Sequence, residues 1–161
     1  MESIMRVNNQ QGIANLCEVA VHLRLTMPEN AATKFAIRTV LREAINKSKK
    51  NYKGNVNRHN CSYISERARD VFKQDEKAKL IAEHIVPVSL ALREFENLSP
   101  LTLESAVSLV SKYSTMALIT PEEDDQLRAL GLVKSMPDDW DGANVFARYD
   151  VAGIALKRLV R

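Results

Sequence analysis

Long apolar runs are missing from this sequence. No window approaches the roughly 18–20 continuous apolar residues that a membrane-crossing helix needs, so a membrane partner is not expected. The first residues, MESIMRVNNQQG, lack a charged start followed by an apolar run and a small-residue cleavage site. No secretory signal is therefore expected, and the expected location is cytoplasmic. Cys17 and Cys61 are the only cysteines, too few to staple a secreted scaffold, and they read as reduced thiols. Only 5 Gly and 5 Pro occur in 161 residues, which leaves room for long regular elements and few tight turns. Aromatics are sparse at 6%, so the core must be built mainly from Leu, Val, Ile and Ala, a composition suited to packed helices. There is no glycine-rich phosphate cradle, because Gly12 and Gly54 stand alone. Zinc-type spacing is absent too: Cys17 and His22 do not share a helix face, and His59 and Cys61 have no second pair.

Hydrophobic residues at 45% and charged residues at 27% define an ordinary globular chain, and its length suits one core. The expected fold class is mainly α with a small β component (α+β), a multi-helix single domain over residues 1–161. It divides into a helical hairpin at 9–49, a basic loop at 50–61, a helical core at 62–113 and a strand–helix–loop–helix–strand tail at 115–160. A two-stranded sheet is expected near the C-terminus.

The periodicities are specific enough to be tested. Ile13, Leu16, Cys17, Ala20 and Leu23 recur at helical spacing over residues 9–25. A second helix is expected over 28–49, starting at Pro28 and turning Ala32, Phe35, Ala36, Val40, Leu41, Ala44 and Ile45 inward, with Lys34, Arg38, Arg42 and Glu43 largely outside that face. Ser62 or Ser65 can cap a third helix that runs to about residue 74. Residues 79–87 fit either a helix face or a short β-branched strand, with a break before Pro87. Leu103, Ala106, Val107 and Val110 describe an amphipathic helix capped by Thr102. Residues 115–120 make the best strand candidate. Thr120-Pro121-Glu122-Glu123 starts the next helix, and Gly131 ends it. A short helix is expected over 143–151, stopping before Gly153, and a last strand over 154–160 beside residues 115–119.

Charge is distributed unevenly along the chain. Lys47, Lys49, Lys50, Lys53 and Arg58 fall within twelve residues that contain no acid, whereas Glu122, Glu123, Asp124 and Asp125 run together later. The basic stretch, with Tyr52 and several asparagines, is a candidate nucleic-acid-binding segment. Its plainer reading is a solvated linker. The acidic run is most simply a first helical turn favoured by the dipole.

One stretch carries candidate chemistry: Glu83-His84-Ile85-Val86-Pro87-Val88-Ser89, followed by Asn97-Leu98-Ser99-Pro100-Leu101. It resembles the centre of HNH endonucleases, in which an acid–His pair ends a strand and a proline and serine follow. The resemblance implies His84 as general base toward water, Glu83 as a ligand of Mg2+ or Mn2+, and Asn97 as an orienting residue. The family's third position, a His or Asn on the following helix, has no counterpart here. Residues 102–112 offer only Glu104 and hydroxyls. On purely structural grounds the same pair sits at the end of an apolar element, with His84 bonding a backbone carbonyl.

In the tail, Ile119-Thr-Pro-Glu-Glu-Asp124, Gly131-Leu132, Met136-Pro-Asp-Asp-Trp-Asp141 and Ala147-Arg-Tyr149 with Gly153-Ile154 are similar to the tail of a bacterial and phage family of undefined function. Trp140 is either a partner-binding anchor or a pin for its own loop. Arg148 and Tyr149 read as a salt bridge and an aromatic plug. Two functions follow as expectations. The first is a nucleic-acid-associated protein binding DNA or RNA, extending to a divergent HNH-like metal-dependent nuclease. The alternative is a non-enzymatic protein-binding or inhibitory module.

Overall fold

The computed structural model describes residues 9–47 and 61–160. Among them lie, in chain order, α1 (Asn9–Thr26), α2 (Ala31–Lys47), β1 (Tyr63–Ser65), α3 (Glu66–Gln74), β2 (Ile81–His84), α4 (Val88–Glu96), α5 (Leu103–Tyr113), β3 (Met116–Ile119), α6 (Pro121–Ala129), α7 (Ala147–Ala152) and β4 (Leu156–Arg158). The α+β expectation holds, but the sheet is larger than the sequence suggests. It has four strands in the order β2-β3-β1-β4. β3 pairs antiparallel with β2 and parallel with β1, while β4 runs antiparallel to β1.

The expected pairing of the last strand with residues 115–119 is therefore corrected. Every residue of Met116-Ala-Leu-Ile119 is buried. A strand buried on both faces belongs in the middle of a sheet, and β2 and β1 take both of its edges. β4 is left to close the far side of β1. The sheet's two faces feed separate cores, as the alternation of a strand requires. Ala117 and Ile119 join Ile85, Leu127, Tyr149 and Ile154 under α6 and α7. Met116 and Leu118 join Cys61, Ile64 and Ala68 under α3.

The largest core is helical. Cys17 and Ala20 of α1, Leu41, Ala44 and Ile45 of α2, Leu92 and Phe95 of α4, and Ala106 and Val110 of α5 pack in one cluster. Local capping chemistry sets most helix ends. Thr102 and Thr120 each form a reciprocal capping box, with Ser105 and Glu123. Gly131 and Gly153 take positive φ just past α6 and α7, where a side chain would be strained.

α2 departs from expectation in two ways. It begins at Ala31, because the Asn30 side chain accepts from the Thr33 N–H and supplies the cap, ahead of which Pro28 lies outside the helix. Its buried residues are Thr33, Ile37, Leu41, Ala44 and Ile45, so Phe35 and Ala32 face outward rather than in. At about 100° per residue Phe35 lies about 160° round the helix from Ile37, so the two cannot share a face. Phe35 is 72% exposed. The short helix expected over 143–151 begins only at Ala147.

Candidate functional site

β2 delivers Glu83 and His84 to the end of the strand, as the motif implies, but successive strand side chains leave on opposite faces. Glu83 turns toward α7. Its Oε1 accepts from Arg148 Nη1 at 3.1 Å, and its Oε2 accepts from the Tyr149 hydroxyl at 3.4 Å. His84 turns toward α2, where its Nε2 N–H donates to Asn46 Oδ1 at 2.6 Å. With the proton on Nε2, the basic atom of a neutral imidazole is Nδ1, and that atom is buried. His84 thus meets a side-chain amide of α2.

Arg148 explains why the carboxylate is committed. The arginine is completely buried, and its guanidinium donates to the backbone carbonyls of Ile85 (2.9 Å), Leu132 (2.9 Å) and His84, as well as to Glu83. It ties the end of β2 to the chain after α6. Its Cζ lies 4.9 Å from the centroid of the Tyr149 ring. Burial is the largest influence on Glu83 and holds its carboxyl above the usual carboxylate range, against the opposing pull of Arg148. Burial likewise raises the Tyr149 hydroxyl.

Asn97 does not join the pair. It caps the C-terminus of α4, with Nδ2 donating to the Arg93 carbonyl at 2.9 Å. The nine residues of α4, about 13 Å of helix, stand between it and His84. Among the described residues no three His, Cys, Asp or Glu side chains group as a metal site requires. The three residues that the HNH resemblance implies therefore point in three directions, and they do not fit a Mg2+ or Mn2+ ion.

Trp140 is half-buried against the helical core, and its indole N–H donates to the Asn144 carbonyl at 2.7 Å. This geometry pins the loop. Of the basic stretch, Lys47 is exposed at the end of α2, and its aliphatic stem runs over Gly12 of α1, where an added Cβ would lie 2.7 Å from Lys47 Cε. Lys49, Lys50, Lys53 and Arg58 lie outside the described residues.

A different basic feature emerges earlier in α2. Lys34, Arg38 and Arg42 recur every four residues and are all exposed. At about 100° per residue they share one arc, which also contains Phe35. Lys34 pairs with Glu29 at 2.8 Å, and Arg38 with Glu96 at 3.1 Å. Exposed pairs of this kind contribute little and exchange readily. Lys34 and Arg38 also border a cavity of about 420 Å³ between α2 and α4, floored by Ile37, Leu92 and Phe95. The i, i+4, i+8 spacing of these cations was visible in the sequence. Their outward placement follows from the helical periodicity of the sequence, whereas the inward expectation for Phe35 keeps the ring from being placed beside them.

No family model matches this chain, and no curated protein or solved structure is significantly similar to it. No helix among the described residues is long and apolar enough to cross a membrane.

Proposed function

We propose that this protein associates with nucleic acid through the exposed face of α2 and does not cleave it through Glu83 and His84. One observation carries the reading: Lys34, Arg38 and Arg42 form a continuous exposed stripe on a strongly basic segment. Residues 31–58 hold eight Lys and Arg against the single acid Glu43, while the rest of the chain holds fifteen against nineteen acids. Net charge is thus +7 on this segment and −4 elsewhere, an asymmetry that favours one orientation on a polyanion. The same asymmetry would steer any phosphate backbone, so the reading concerns charge first and base identity second. The absence of cleavage rests on Glu83 being held by Arg148 and on the distance to Asn97.

Labelled 20-mers of DNA and RNA, single- and double-stranded, provide the test by fluorescence anisotropy at low salt. Binding is expected, and Lys34→Glu/Arg38→Glu/Arg42→Glu should weaken it at least tenfold with the fold intact. With Mg2+ or Mn2+ present, the oligonucleotides should survive. A lack of binding to every oligonucleotide would defeat the association. Cleavage that disappears in His84→Ala would restore the nuclease.

A further inference from the structure

We infer that the preferred ligand of the α2 face is a single strand, with one unpaired base stacked on Phe35 while its phosphates lie against Arg38 and Arg42. This inference rests on the nucleic-acid reading above and names the class of nucleic acid. Phe35 is 72% exposed, whereas every other aromatic among the described residues is buried or half-buried. Arg38 follows it at i+3 and Arg42 at i+7, the spacings that bring side chains together on one helix face. Lys34 precedes it on the same arc.

An aromatic ring set among cations is the arrangement that single-strand surfaces use. The ring offers a π-face to any base, and the cations follow the backbone. A duplex cannot exploit such a ring, because its bases are already stacked on each other. Other cations here lack this companion: Lys112 lies over Tyr113, but that ring is buried, and its hydroxyl donates to Glu94. The acids that face the site are Glu29 and Glu96, which pair with Lys34 and Arg38, together with Glu43 on α2 itself. They set a cost that phosphates must displace.

Anisotropy titrations of the full chain with a poly-dT 12-mer and with a mixed-sequence 12-base-pair duplex test this at matched salt. Phe35→Ala should weaken single-strand binding about tenfold, leave duplex binding within about twofold, and leave the unfolding midpoint unchanged or raised. Phe35→Trp should restore single-strand affinity. Glu96→Gln should tighten it two- to threefold by removing a like charge from the rim. Equal affinity of Phe35→Ala and the natural chain for the single strand overturns the inference. If the Lys34/Arg38/Arg42 variant still loses affinity in that case, the broader nucleic-acid reading survives. Failure of the natural chain to bind either oligonucleotide overturns the inference, and the broader reading falls with it if the DNA and RNA 20-mers also fail to bind.

Discussion

The helical layer and the sheet layer are held together by different physics. The core shared by α1, α2, α4 and α5 is apolar almost throughout, its stability coming from buried area and close packing. Around the sheet, four polar side chains are buried: Ser65, Thr120, Glu123 and Arg148. Each is satisfied. Ser65 caps α3 and donates to Glu123 Oε2 at 2.5 Å, and that carboxylate also accepts from the Thr120 N–H at 2.9 Å. One acid therefore joins the start of α3 to the start of α6. An apolar layer tolerates exchange of one hydrocarbon for another, whereas a satisfied polar network tolerates almost no deletion. The Glu83 carboxylate belongs to the second kind of structure, since Arg148 and Tyr149 both donate to it.

The comparison breaks most visibly at Arg148. Arg148→Met strips several carbonyls of their donor and leaves Glu83 without its counter-charge, so it should cost about 3–5 kcal/mol in urea unfolding. Adding Glu83→Leu should recover part of that loss, because the stranded charge goes with it. Leu41→Met in the helical layer should cost less than about 1.5 kcal/mol by the same measurement. Equal costs at the two sites would erase the distinction. Ser65→Ala should fall between them, at about 1–2 kcal/mol, since it removes a cap and one partner of a buried carboxylate.

A smaller effect sharpens the picture through pH. Glu83 is held above the ordinary carboxylate range in the fold, so folding favours its protonated form. Its contribution is complete below the ordinary carboxylate pKa and is lost as pH rises through the raised value. The stability of the natural chain minus that of Glu83→Gln, followed across this window, should fall with rising pH. A rising difference would mean that attraction to Arg148 outweighs the loss of hydration.

What the sequence revealed and concealed follows the range of the forces involved. Caps at Thr102 and Thr120 and terminators at Gly131 and Gly153 act within a few residues, and they stand where their local chemistry puts them. β1 was hidden because it spans three residues and its Ser65 reads first as a helix cap, a role it also fills. The β4 partner was misplaced because strand order is a property of the whole sheet. The Glu83–Arg148 pair joins residues 65 apart, which no local spacing announces. Phe35 was misassigned for a more instructive reason. Seven apolar positions in α2 span too wide an arc for one buried face, and the largest of them, Phe35, is left outside together with Ala32.

The most direct test of the functional account is the salt dependence of binding to a single-stranded oligonucleotide. A plot of log K against log salt should be steep for the natural chain. Replacing Lys34, Arg38 and Arg42 by Gln should flatten its slope by about 2, the share of three phosphate contacts on a single strand. An unchanged slope would place the binding charges elsewhere and contradict the account.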